Sequence, residues 1–283
     1  MERTVVVGVD GSAGSRAAGD WAAREAVCRG LALQVVHVEP GPGPQPAAWP
    51  APGRPCDVAV RAAGELAARY PELAIGGVTV EGEPVSALSG RDQNTDLVVL
   101  GMRGTEGTEG TEGPGAGTVA LSVAASSHRP VVLVPPEFAY EVPGRRMDRI
   151  AVGVDARRPD EAAVDFAFDT ACRRAARLRL VHAWKLPLPE AAWMPYAVPE
   201  EDRGRWEDHE EQVLADALRP WRAKYPSVRV LADVVLLGVA DALVKASARA
   251  ETLVVGRRHE GALPPAVRAL LQHTRCPVAV VPV

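Results

Sequence analysis

Asp96–Pro136 reads DLVVLGMRGTEGTEGTEGPGAGTVALSVAASSHRPVVLVPP. An apolar run, Leu97–Leu100, stops at Gly101, and a glycine-rich loop carries the chain to Gly117-Thr118. Thr118–Ser127 has helical character, and Val131–Val134 is a second apolar run. Short, continuous apolar runs on either side of a helix are the pattern of strands buried on both faces of a parallel sheet. A glycine loop that opens a helix directly after such a strand presents free backbone amides to an anion. The stretch therefore predicts a strand–loop–helix–strand unit with a phosphate-cradling turn.

The residues before it follow the same alternation. Thr4–Asp10 (TVVVGVD) is an apolar run ending in Asp10, followed by Gly11-Ser12 and an Ala-rich helix, Ala13–Gly30. Ala17, Ala18, Trp21, Ala22, Glu25 and Ala26 suit a helix with one apolar face. Leu33–Val38 reads as a second strand, Ala59–Tyr70 as a helix, Val78–Glu81 as a short strand and Val85–Gly90 as a short helix. Pro40–Pro55 is too rich in Pro and Gly for regular structure. Strands alternating with helices predict an α/β sheet of five parallel strands covered on both faces.

The pattern then restarts. Ile150–Trp184 aligns without gaps on the opening segment, setting Asp155 on Asp10, Phe166 on Trp21 and His182 on His37, an offset of 145. Gly256 matches Gly101 with an offset of 155, and Pro277 matches Pro130 with an offset of 147. The chain is a tandem duplication with domains at 1–143 and 144–283, linked near Gly144-Arg145-Arg146. Because the offset rises from 145 to 155 and falls to 147, copy two has gained ten residues before its glycine and lost eight after it. The added residues lie in and around the Pro-rich excursion Lys185–Trp206, and the lost ones are the glycine loop.

Composition narrows the function classes. The 283 residues suffice for two domains that each bury a core. The net charge of −4 gives no general attraction to nucleic acid or an anionic membrane. The charge is uneven: residues 1–143 hold 10 Arg and no Lys against 17 acids, a net of −7, and the remainder is +3. Cys28, Cys56, Cys172 and Cys276 lie far apart without a CxxC, so they read as buried free thiols rather than a metal or disulfide framework. The opening Met-Glu-Arg-Thr enters a strand directly, with no signal peptide expected, and no apolar run has membrane-spanning length. A cytoplasmic location is expected.

VVVGVDGS, VVHV, DLVVLG-x2-G…G-T and PVVLVP, in this order and with the duplication, resemble the universal stress protein family over essentially the whole chain. The resemblance implies two tandem five-stranded α/β domains of Rossmann-like, nucleotide-binding (HUP-type) architecture. It implies ATP binding where the loop reads G-x2-G-x9-G-[S/T], and a stress-response, regulatory binding module rather than an enzyme. On that resemblance the site falls on Gly8, Asp10, Val38, Leu100, Gly101, Gly104, Gly117, Thr118 and Val119. Val38 would meet adenine and Asp10 the adenosine; Gly101, Gly104, Gly117, the Thr118 hydroxyl and the Val119 amide would meet the phosphates.

Two departures matter. Gly104 and Gly117 are separated by twelve residues instead of nine, and Thr105–Gly113 is a Thr-Glu-Gly triplet three times over. Lengthening a flexible loop from nine to twelve costs only about 0.3 kcal/mol of closure entropy. Its content matters more: Glu106, Glu109 and Glu112 would each cost roughly 0.5 kcal/mol at about 8 Å from a phosphate charge in water, before salt screening. Together that approaches tenfold in affinity unless Mg2+ bridges carboxylate and phosphate. In copy two the second glycine is His259 and the helix opens on Pro264-Pro265, which lacks the amide a phosphate needs. ATP is therefore expected in the first domain only. Arg257, Arg258 and His259 read as a solvated basic edge.

Other candidates have plainer readings. His37 and His182 are a matched pair in the core, and Ser12 is an N-cap. Asp92, Asp96 and Glu83 lack ligand spacing. His128 and Arg129 end the fourth helix, where cations suit the dipole. Trp49, Trp193 and Tyr196 lie in Pro-rich loops that could cover a crevice or meet a regulatory protein partner. Val131–Val134 and Val278–Val281 read as edge strands. They suit an intramolecular pseudo-dimer of the two domains and leave a homodimer open. Two rival functions remain: a protein-interaction module without nucleotide, and a slow ATPase, for which no general base with an orienting partner can be named.

Overall fold

Gly8, Val36 and Leu100 stand side by side in the register of three parallel strands, and that alignment sets where a ligand can sit. A computed structural model describes residues 3–39, 58–89, 94–102, 118–136, 138, 149–186 and 200–283. The first repeat runs β1 (Thr4–Gly8), α1 (Ala13–Arg29), β2 (Ala32–Glu39), α2 (Val58–Arg69), β3 (Ile75–Glu81), α3 (Pro84–Ser89), β4 (Thr95–Gly101), α4 (Thr118–Ser126) and β5 (Val131–Val134). The second runs β6 (Arg149–Gly153), α5 (Glu161–Arg173), β7 (Arg177–Trp184), α6 (Glu200–Ala217), α7 (Arg219–Lys224), β8 (Val230–Leu236), α8 (Val239–Ser247), β9 (Thr252–Arg257), α9 (Pro265–His273) and β10 (Val278–Pro282).

The chain packs as two units. Unit 1 holds the described residues of Met1–Arg145 together with Arg257–Leu263 and Arg275–Pro282; unit 2 holds those of Arg146–Gly256 and Pro264–Thr274. In unit 1 the strand order is β3-β2-β1-β4-β5-β10. The chain moves outward from β1 to β3, then jumps back across β1 to β4. The strand order therefore reverses between β1 and β4, where open α/β sheets bind ligands beyond the strand carboxyl ends. In unit 2 the order β9-β6-β7-β8 repeats this reversal at β6.

The expected five parallel strands are present as β1–β5. The last strand of the second repeat, β10, pairs antiparallel with β5, Val280 opposite Val131 and Val278 opposite Leu133. Unit 1 thus carries six described strands and unit 2 four. The physical reason is β5 itself: Val131–Val134 is buried along its whole length, so an unpaired side would leave backbone amides and carbonyls without partners.

Central strands are apolar throughout. Val5, Val7, Leu97, Val99, Val132 and Leu133 have no exposed surface, and burying each such side chain contributes about 1.5–3 kcal/mol. Helix α1 covers this surface with Ala18, Trp21, Ala22 and Ala26. Ser12 opens it by accepting the Ser15 amide at 3.2 Å, and Gly30, left-handed at φ 65°, closes it by donating to Val27. Sequence reading did not find α6, an 18-residue helix in and after the Pro-rich excursion; polar residues dominate it and no apolar stripe announces it.

Of the thiols, Cys276 is buried, Cys28 is half-buried and Cys172 is exposed, so the expectation of uniformly buried cysteines fails at Cys172. Cys56, Trp49, Trp193, Tyr196, Asp92 and the 144–146 link lie outside the described residues. No described helix is long and apolar enough to cross a membrane.

Candidate functional site

At the carboxyl end of β1 the chain makes a tight turn. The Asp10 carboxylate accepts the Ser12 amide at 3.0 Å, and Gly11 takes φ 81°, a left-handed conformation that favours glycine. Asp10 itself is exposed at the strand ends. His37, half-buried on β2, has Nδ1 2.7 Å from the Val9 carbonyl, so Nδ1 carries the proton and the ring ties β2 to the end of β1. Val38 follows, half-buried.

β4 delivers Leu100 and Gly101 beside this turn. Leu100 is buried, and a Cβ on Gly8 would lie 2.5 Å from its Cδ2. Gly101 packs backbone to backbone on the first turn of α1: a Cβ there would overlap the Gly14 carbonyl, and a Cβ on Gly14 would lie 2.6 Å from the Met102 carbonyl oxygen. These glycines thus have a packing role whether or not a phosphate approaches them. Gly104, Gly117 and the Thr-Glu-Gly triplets lie outside the described residues. Helix α4 begins at Thr118, and Val119 on its first turn is exposed.

Beside Gly11, a cavity of about 280 Å³ opens between α1 and α2. Its floor includes Val9, Val58 and Leu66; Arg16, Arg61 and Arg69 line it with Glu65. Arg69 is tied to Asp20 and Arg16 donates to the Gly11 carbonyl at 3.0 Å. Sequence reading missed these arginines. Their only signal was helical spacing on two separate helices, and nothing in one sequence says that those helices are neighbours.

The equivalent place in unit 2 is differently built. Asp155 repeats the turn, accepting the Arg157 amide at 3.1 Å, and His182 repeats the contact to a strand-end carbonyl, Val154, at 3.1 Å. There the likeness ends. Glu210, delivered by α6 and 4% exposed, sits 3.2 Å from His182 Nε2 and accepts both arms of Arg157 at 2.7 and 2.5 Å. The Arg157 hydrogen bonds, and then His182, hold the Glu210 carboxyl below the usual range against the opposing effect of burial. Further along, a Cβ on Gly256 would collide with the Asp160 carboxylate. Buried negative charge and side-chain bulk thus stand at the strand ends of unit 2.

The His182–Glu210 pair resembles a base with an orienting carboxylate, yet both ring nitrogens are engaged, Nδ1 with backbone and Nε2 with Glu210. It is a structural tie. The expected solvated edge at Arg257–His259 also needs correction: Arg258 and His259 are exposed, but Arg257 is 4% exposed. Glu83, without ligand spacing in the sequence, caps α3 by accepting the Val85 and Ser86 amides at 2.9 and 2.7 Å, which lowers its pKa. Among the described residues no three His, Cys, Asp or Glu side chains converge as metal ligands.

A profile described as the Universal stress protein family matches residues 1–135 and again 147–282. Two universal stress proteins of Mycobacterium tuberculosis are similar along nearly the whole chain. Rv1996 is 30% identical over 98% of this chain and 94% of its own length. Rv2005c is 32% identical over 98% and 96%. Among solved structures, a universal stress protein from Archaeoglobus fulgidus superposes with a TM-score of 0.60 at 16% identity, covering 99% of this chain and 98% of that one. At that identity it bears on the fold alone.

Proposed function

The chain belongs to the universal stress protein family, and we propose that it is a regulatory binding module whose first domain takes ATP. The observation that supports this reading is a contrast between equivalent places in the two units. Asp10 and Asp155 are both exposed at their strand ends, but in unit 1 a cavity opens beside Gly11, whereas in unit 2 the buried Glu210 binds Arg157 and His182 there.

On this reading Asp10 and Val38 meet the nucleoside, with Gly8 and Leu100 forming the floor. Gly101, Gly104 and Gly117 let the backbone approach the phosphates, and the Thr118 hydroxyl and Val119 amide close the loop at the positive end of α4. Arg16 and Arg61 would offset part of the repulsion from Glu106, Glu109 and Glu112, and Mg2+ could bridge those carboxylates to the phosphates. This reading gives the chain a binding rather than an enzymatic role, with a slow ATPase as the rival that hydrolysis of bound ATP would reveal.

The test is direct. The purified full chain is denatured, released small molecules are read by absorbance and mass, and ATP is titrated with and without Mg2+. Saturable binding that Asp10→Ala weakens supports the reading. No binding at millimolar ATP sinks it and favours a protein-interaction module. Bound ATP that turns to ADP over hours, abolished by Asp10→Ala, moves the reading to a slow ATPase.

A further inference from the structure

We infer that Arg257–Gly261, the second repeat's counterpart of the start of the glycine loop, acts as a clamp on the C-terminal end of α4 and positions the helix that receives the phosphates. The inference rests on the ATP reading above. By the offset of 155, Arg257 falls on Met102 and His259 on Gly104, yet by packing this segment belongs to unit 1.

Its contacts are specific. Arg257 Nη2 donates to the Ser127 carbonyl at 2.5 Å, and Nη1 donates to the His259 carbonyl at 3.1 Å. The Gly261 amide donates to the Ala125 carbonyl at 2.7 Å. Ala125 lies in the last turn of α4 and Ser127 directly follows the helix, where the last carbonyls lack intrahelical partners. The guanidinium is buried, its Nε makes no hydrogen bond, and it has no ion pair among the described residues. Burial pushes its pKa down from the usual guanidinium value, but arginine stays charged. The partial negative charge of the helix end is what makes that burial tolerable. The sequence pointed to His128 and Arg129 for this role, but His128 is exposed.

α4 has nine residues, so it is a rod of about 13 Å. Fixing one end of so short a rod limits the tilt of the amides at the other, which is preorganisation for an anion rather than contact with it. Arg257 is thus a positioning residue. Linkage requires the converse: nucleotide at the first turn of α4 must tighten the clamp.

The experiment is ATP calorimetry on the full chain as wild type, Arg257→Gln and Arg257→Lys, with hydrogen exchange followed at the Gly261 and Ser127 amides. Expected are a three- to tenfold loss of ATP affinity in Arg257→Gln, partial recovery in Arg257→Lys, and slower Gly261 exchange in the wild type when ATP is added. A folded Arg257→Gln protein with wild-type affinity overturns the clamp, as does Gly261 exchange indifferent to bound ATP. The exchange measurement needs only the wild type, so it decides the matter even if the variants fail to fold. A wild type that binds no ATP sinks the nucleotide reading first, and is distinguishable from failure of the clamp alone.

Discussion

Arg157 and Glu210 form a two-armed ion pair across the strand ends of unit 2, with N···O distances of 2.7 and 2.5 Å. One partner is buried and the other half exposed, their side chains 5% and 54% accessible. The pair joins the β6–α5 turn to α6, and His182 joins the same carboxylate to β7.

Because Arg157 and His182 lower the Glu210 pKa on folding, the pair stabilises the protein above the unfolded carboxyl value of about 4.3 and loses that contribution as pH falls through the lower folded value. Glu210→Gln should cost about 1–3 kcal/mol at pH 7, less than a fully buried pair because solvent screens Arg157. Thermal melts from pH 7 to 3 should show the gap between wild type and variant closing in acid. A constant gap refutes the assignment.

Gly101→Ala should destabilise unit 1 by about 1–3 kcal/mol without any ligand, because the added methyl overlaps the first turn of α1. Melting of the ligand-free protein checks this. An unchanged melting temperature, with ATP affinity alone reduced, would mean that Gly101 is kept for the phosphate and not for packing.

Deleting one triplet, Gly107-Thr108-Glu109, restores the nine-residue spacing and removes one negative charge. ATP affinity should rise or stay level. Replacing Glu106, Glu109 and Glu112 together by Gln should tighten ATP binding by up to about tenfold at low salt, with the gain shrinking as salt is added. Loss of binding on deletion would mean that Gly117-Thr118 is wrongly aligned with the loop's end.

Glu25 is 1% exposed and sits 2.5 Å from Arg29, which also reaches Asp96 at 3.1 Å. Asp96, without a ligand role, holds α1 to the start of β4. Glu25→Ala leaves Arg29 only Asp96 of these two carboxylates and should cost about 1–3 kcal/mol, read by denaturant unfolding. A cost under about 1 kcal/mol would show that Asp96 and solvent together replace the lost carboxylate.

Sequence by itself determined the duplication, the strand–helix alternation and the turn at Asp10. Each depends on local pattern: apolar runs, glycines at fixed places, and an offset of 145 that carries Asp10 to Asp155 and His37 to His182. Tertiary structure alone decided what surrounds those residues. His37 and His182 are equivalent in sequence and alike in their strand-end carbonyl contact, yet among the described residues only His182 meets a carboxylate, because α6 brings Glu210 from 28 residues away. Likewise Arg257 reads as a surface cation but is buried at the end of α4. Periodicity reports which face of an element is apolar. It does not report which distant element will meet a strand-end histidine or a bare helix end, since those partners are set by the tertiary geometry.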